Sequence, residues 1–358
     1  MKIKDIPQDI LKSFKQGIVI PAHPLALDSS RKFDTKHQRA ITRYYIDAGA
    51  GGIAIGVHTT QFEIRKMGID LFKPVLSFCS ETIDNYCIKK GKTILKIAGV
   101  CGKTHQAVKE AQFAKDTGFH ACLLSLAAMA EEDISTMIEH CCKVSLVMPI
   151  IGFYLQPAAG GRNLPYKFWR KFTEIENVLA IKIAPFNRYQ TLDVVRAVCE
   201  SGMEKDIPLY TGNDDNIVID LLTKYRIHTP SGIKSVRVVG GLLGHWAVWT
   251  KKAVELLEEI HLITEKNMVI PLEILTKAVQ ITDCNAAFFD ASNGFAGCIS
   301  GIHEILKRQK LLQGIWCLDP DKKLSHGQRE EIDRVYQAYP HLNDDAFVKE
   351  NLDSWLDE

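Results

Sequence analysis

Eight short runs of residues, apolar on both faces, recur along this chain, and each is followed by a stretch of helical periodicity. The runs cover residues 17–21, 52–57, 94–100, 121–126, 150–154, 178–183, 207–211 and 235–239. A strand with one face in water alternates apolar and polar side chains; these do not, which fits a parallel sheet covered by helices. The intervening helical stretches are 35–48, 71–90, 105–117, 131–142, 165–172, 188–201 and 216–225, the first with Asp34 placed to cap it and Gly49 to close it. Eight strand-then-helix units predict an α/β fold of the (β/α)8 TIM-barrel type. An open, doubly wound sheet is the competitor, but no GxGxxG opens a helix here. From residue 245 onward the pattern is helical only, over 247–263, 272–283, 302–310, 325–339 and 344–355. We therefore expect a barrel over 1–262 and a C-terminal helical region with an acidic, mobile tail over 263–358.

Composition narrows the classes of function. A formal charge of +1 provides no general attraction for nucleic acid or an anionic membrane. No run reaches the roughly 18 apolar residues of a membrane span, and Met1-Lys2-Ile3-Lys4-Asp5 lacks the apolar core of a signal peptide. The ten cysteines show neither disulfide-framework nor zinc-ligand spacing. Free thiols in a cytoplasmic protein are expected.

In a barrel of this kind chemistry gathers where strands end on the side of the βα loops. Found there are His23, Asp28, His58, Thr59, Thr60, Tyr154, Lys182, Gly212, Asn213, Gly240 and Gly241. Lys182 is the only charged residue of its run and shares a strand face with Ala180 and Ala184. Desolvation lowers a lysine's pKa, and a neutral amine attacks a carbonyl to form a Schiff base. Tyr154, also at a strand end, is the expected proton carrier beside it. The plain alternative is a lysine that snorkels from its strand end. Thr59 and Thr60 offer hydroxyls to a carboxylate or cap the next element. His23 and His58 are acid/base candidates or packing residues. Gly212 and Gly240 admit a close ligand, a phosphate included, or serve turns. Asp214-Asp215 reads as the cap of the following helix rather than as a metal pair.

Several of these pieces together resemble a known family. They are Ala48-Gly49-Ala50-Gly51-Gly52-Ile53, Thr59-Thr60, Ile97-Ala98-Gly99-Val100, Tyr154-Leu155-Gln156-Pro157, Ala180-Ile181-Lys182 and Tyr210-Thr211-Gly212-Asn213-Asp214, with 302–309 late in the chain. The chain resembles the dihydrodipicolinate synthase and N-acetylneuraminate lyase group of Schiff-base aldolases. The resemblance implies that Lys182 forms the imine and Tyr154 shuttles protons. It also implies that Thr59 and Thr60 hold the keto-acid carboxylate and that Gly212 lies against the substrate; from their place at the strand ends, His58 and Gly240 are expected to complete the binding set. It further implies a pyruvate-type 2-oxo acid substrate, C–C bond cleavage or formation without metal or organic cofactor, and a homotetramer. Three departures stand out. Gln61-Phe62-Glu63 replaces the usual Gly-Glu, no tyrosine pair occurs in Leu126-Ala127-Ala128-Met129, and Ala159 stands where the synthase has arginine, leaving Arg162 nearest. These disfavour aspartate-semialdehyde condensation. The rival readings are a non-catalytic keto-acid or sugar-acid binding protein and a barrel enzyme for a phosphorylated ligand.

Overall fold

The computed structural model describes residues 1–357. In chain order it contains α1 (Gln8–Gln16), β1 (Val19–Pro21), α2 (Thr35–Ala48), β2 (Gly52–Ile55), α3 (Phe72–Lys90) and β3 (Leu95–Val100). There follow α4 (Thr104–Asp116), β4 (Ala121–Leu124), α5 (Ile134–Ser145), β5 (Ile150–Leu155), α6 (Tyr166–Phe172), β6 (Val178–Ala184) and α7 (Arg188–Glu200). Then come β7 (Leu209–Thr211), α8 (Ile217–Leu222), β8 (Lys224–Thr229) and β9 (Gly232–Leu243). Five helices end the chain: α9 (Thr250–Glu265), α10 (Leu272–Phe289), α11 (Cys298–Arg308), α12 (Gln328–Ala338) and α13 (Asp345–Leu356). This is the element order of a (β/α)8 barrel, its eight strands being β1 to β7 and β9.

The α2 helix shows why the local reading works. Asp34 accepts a hydrogen bond from the His37 backbone N–H, and Gly49 closes the helix in the left-handed region at φ 100°. The expectation for 216–225 needs correction. The helix stops at Leu222, and Tyr225 lies in β8, which pairs antiparallel with the first half of β9. A Thr-Pro-Ser-Gly turn with Gly232 at φ 108° makes the ribbon possible, and the side chains of β8 alternate between exposed and half-buried.

The chain divides into two compact units, each built from two stretches. The first comprises Met1–Ile18 and Leu95–Leu242. Its strands run parallel in the order β3-β4-β5-β6-β7-β9. Every residue of β6 is buried, as full coverage by helices requires. Gly152 in β5 leaves room for α6, since a β-carbon there would lie 2.7 Å from Phe172 Cε1 and 3.1 Å from Trp169 Cζ3. The second unit comprises Val19–Ile94 and Leu243–Glu358. In it β1 and β2 run parallel through Ala22 and Ala54, and the unit also holds α2, α3 and the five C-terminal helices. The expected boundary between residues 262 and 263 falls inside α9.

The acidic tail is not loose as far as it is described. Trp355 is fully buried, its indole N–H donates to Asp47 Oδ2 at 2.9 Å, and its ring lies 5.5 Å from that of Tyr44. Tyr44 in turn donates to Asp344 Oδ2 at 2.7 Å and accepts from the Thr250 N–H at 2.7 Å. All ten cysteines are free. Among the described residues no helix is long and apolar enough to cross a membrane.

Candidate active site

Lys182 lies near the C-terminal end of β6, paired laterally with Phe153 of β5 and Tyr210 of β7. Laterally paired residues of a parallel sheet point to the same face, so these three side chains share one side. The Lys182 Nζ sits 4.4 Å from the centre of the Phe153 ring, within cation–π range. Tyr210 is bound elsewhere: its hydroxyl donates to the Phe14 carbonyl at 2.6 Å and its ring stacks on Phe14. Lys182 is only 8% exposed, and burial pushes its amine down to about 8, with the charge of Asp214 acting in the opposite sense. About a tenth of the amine is therefore in the neutral, nucleophilic form at pH 7, far more than for an ordinary lysine.

The loop after β7 closes on this amine. A β-carbon on Gly212 would lie 2.4 Å from Lys182 Cε and 2.8 Å from Ala184 Cβ, so only glycine fits beside the lysine as it stands. Asn213 fixes the loop. Its side-chain oxygen accepts from the Phe186 N–H at 3.0 Å, and its amide nitrogen donates to Asp220 Oδ2 at 2.9 Å. Asp220, fully buried, also accepts from Thr211 at 2.8 Å and from Asn216 at 3.0 Å, and pairs with Arg188. The helix-capping position is Asn216 rather than Asp214 or Asp215. Replacing Gly212 by alanine is expected to leave the fold intact and push the Lys182 side chain aside. The rate of adduct formation by Lys182 should fall roughly tenfold or more, with stability lowered by about 1–3 kcal/mol. Unchanged labelling kinetics in a Gly212→Ala chain would refute the close approach.

Tyr154 occupies a different side. Ile150 pairs with Val178, but Ile151 pairs with Ala180, so a one-residue irregularity shifts the register before the strand end. Phe153 then stands beside Lys182, and Tyr154 faces the helix layer as Gly152 does. The Tyr154 ring lies 5.4 Å from that of Trp169, its hydroxyl accepts from the Leu164 N–H at 3.2 Å, and burial holds the phenol above its usual range. The expectation that Tyr154 stands next to Lys182 is thus not met in this conformation. Arg162, the nearest arginine to the position of the missing one, donates to the carbonyls of Met129 and Glu132.

The remaining candidates belong to the second unit, apart from Gly240 and Gly241. Thr59 and Thr60 are buried, with their hydroxyls donating to the carbonyls of Ala22 and His23 at 2.7 and 2.6 Å. The Thr60 hydroxyl also accepts from the Gly56 N–H at 2.9 Å. His58 is half-buried, 6.0 Å from the Phe62 ring. His23 is a packing residue: its Nδ1 donates to the Pro24 carbonyl, its Nε2 lies 2.8 Å from Thr42 Oγ1, and burial pushes it down to about 4. Gly240 admits the backbone of residue 18, since a β-carbon there would lie 2.6 Å from the Ile18 carbonyl oxygen. Phe153 and Asp220 were not foreseen as parts of the site. Alternation within β5 marks Phe153 only once the register to β6 is known.

Comparison with known proteins extends this picture. A model of the dihydrodipicolinate synthetase family matches residues 15–224. A 4-hydroxy-tetrahydrodipicolinate synthase of Clostridium novyi is 28% identical over 190 residues, covering 52% of this chain and 59% of that protein. The match thus spans under two thirds of that relative's length. Among solved structures, a dihydrodipicolinate synthase from Oceanobacillus iheyensis superposes with a TM-score of 0.72 at 16% identity, covering 93% of this chain and all of that one. An N-acetylneuraminate lyase from Fusobacterium nucleatum, solved with pyruvate, superposes with a TM-score of 0.67 at 16% identity, covering 92% and 99%. At such identity the superpositions bear on the fold, and that fold is the (β/α)8 barrel with its C-terminal helical region. With more than half of its length matched by the family model, the chain belongs to the dihydrodipicolinate synthetase family.

Proposed function

We propose that this protein is a Schiff-base-forming aldolase or lyase that acts on a pyruvate-type 2-oxo acid, making or breaking a C–C bond. The observation that carries this reading is the buried Lys182 amine, pushed down to about 8 at a strand end with Gly212 against its stem. Family membership and the pyruvate complex of the N-acetylneuraminate lyase support it. Lys182 adds to the keto carbon, water leaves, and the protonated imine accepts the electron pair of the bond that breaks or forms. Thr59 and Thr60 are the proposed holders of the carboxylate once their hydroxyls leave the Ala22 and His23 carbonyls, and their substitution by valine should raise KM more than it lowers kcat. Tyr154 remains a proton carrier in this reading only if its hydroxyl leaves the Leu164 N–H.

The test is incubation with pyruvate and borohydride, followed by intact-mass measurement and peptide mapping. A reduced adduct on Lys182 is expected. No adduct with pyruvate or longer 2-oxo acids would overturn the proposal.

A second reading, a keto-acid or sugar-acid binding protein without catalysis, draws support from Tyr154 facing the helices and from Ala127 and Ala128 where tyrosines are usual. Thermal stabilisation by 2-oxo acids without turnover would favour it. Tight phosphate-dependent binding with no imine would favour the third reading, an enzyme for a phosphorylated ligand held at Gly212 and Gly240.

A further inference from the structure

Gly212 lies against the Lys182 stem, and the residues on either side of it are held by a single carboxylate oxygen. Asp220 Oδ2 accepts from the Thr211 hydroxyl at 2.8 Å and from the Asn213 side-chain amide at 2.9 Å. Its other oxygen accepts from the Asn216 amide at 3.0 Å and pairs with the Arg188 guanidinium. An ionised carboxylate offers about four acceptor sites, and here four donors meet them. Asp220 is buried on α8, and Thr211 and Asn213 are buried with it. So complete a set of partners leaves Asp220 no part in moving protons to a substrate. It suits a residue that fixes others in place.

The same carboxylate reaches the loop after β6. Arg188 opens α7, and Asn213 accepts from the Phe186 N–H at 3.0 Å. Phe186 has φ 52°, a left-handed conformation that a bulky residue keeps only where its surroundings over-determine it. The loops that follow β6 and β7 are thereby clasped to each other beside the lysine. The Gly212 N–H donates to the Ile183 carbonyl at 2.7 Å, which fixes where the second loop leaves the sheet but not how it runs on. We propose that Asp220 is the positioning residue of this site: through Thr211 and Asn213 it holds Gly212 against Lys182, and it ties that wall to the loop after β6. Its place in the chemistry rests on the imine reading of Lys182. A wall resting on the stem keeps the amine aimed at the keto carbon and keeps water from it. An amine displaced by about 1 Å reacts far more slowly.

The test follows Lys182 by peptide mapping in wild type and variants. One measurement is the pH dependence of its arylation by trinitrobenzenesulfonate, which needs no imine. The other is the rate of its borohydride-trapped adduct with pyruvate. Asparagine keeps one acceptor oxygen in place of two, so Asp220→Asn breaks half of the clasp. Its arylation midpoint should rise by on the order of one pH unit, since water reaching the amine favours the ammonium. Loss of a carboxylate's charge alone would lower the midpoint, so the sign separates positioning from electrostatics. Trapping should slow roughly tenfold or more. Adding Asn213→Asp to Asp220→Asn restores the donor–acceptor match between the two positions and should recover part of that rate. Val194→Ala opens a cavity at a buried position of α7 outside the clasp; it should lower the melting temperature and leave both readings at wild type. An unmoved or lowered midpoint in Asp220→Asn, wild-type trapping by it, or the same changes in Val194→Ala would overturn the assignment. Where Asp220→Asn does not fold, Thr211→Val, which removes one of the two bonds beside Gly212, should move both readings the same way, and wild-type values there would overturn it. Absence of an adduct from wild type would instead remove the imine reading, while the arylation midpoint still decides whether Asp220 holds the wall.

Discussion

A Lys182→Ala chain is expected to fold and to form no borohydride-reducible adduct with any 2-oxo acid. Turnover should drop by on the order of 10⁴-fold or more, the scale seen when a covalent nucleophile is removed. Lys182→Arg is the stricter companion. It keeps a cation on the buried stem of β6, yet guanidinium cannot act as the amine. Both variants should therefore be inactive. Circular dichroism and melting establish the fold, and peptide mass spectrometry reads the adduct. Turnover by the same route in either variant would sink the Schiff-base proposal.

Acid is expected to destabilise the protein before most of its carboxylates titrate. His23, His245 and His303 are all buried, and burial pushes each of them down to about 4. The unfolded chain takes up protons near the ordinary imidazole value of about 6.5, whereas the folded chain does not until about 4. The unfolded state thus binds more protons across that window, and stability falls as pH falls through it. Between about pH 7 and about pH 5 the loss should be about 2 kcal/mol per histidine, or roughly 6 kcal/mol together. Asp344 acts in the opposite sense, because burial raises its carboxyl and the folded state takes up its proton early. The net result should be a melting temperature lower by on the order of 10 °C at the acid end of that range. A melting temperature independent of pH over that range would show that the three imidazoles are not held neutral.

The strands and helices were legible because each was announced locally. Asp34 and Gly49 bound α2, and the apolar run over β6 isolates Lys182 as its one charge. The hairpin was missed although Pro230, Ser231 and Gly232 mark its turn, because Lys224 to Thr229 also continues a helix-like pattern after α8. The site was legible in its lysine and glycine but not in its proton chemistry. Which residue of β5 stands beside Lys182 depends on the pairing irregularity between Ile150 and Ile151. A one-residue shift of register exchanges the faces of a strand, and nothing within a single strand announces it. Asn213 was visible as a residue, but its ties to Phe186 and Asp220 are ones that no spacing encodes.

The bond from Trp355 to Asp47 spans 308 positions of sequence, and it has a consequence for how the chain is made. The first compact unit has all its residues once Leu242 is synthesised, whereas the second begins at Val19 and ends in α13. During translation, α2 therefore leaves the ribosome with the face that receives Trp355 uncovered. At about 5–20 residues per second that face waits roughly 15–60 s for its partner. Over that interval the nascent chain carries an unfinished apolar surface near its beginning, and a holdase or a slow stretch of message would act there to most effect.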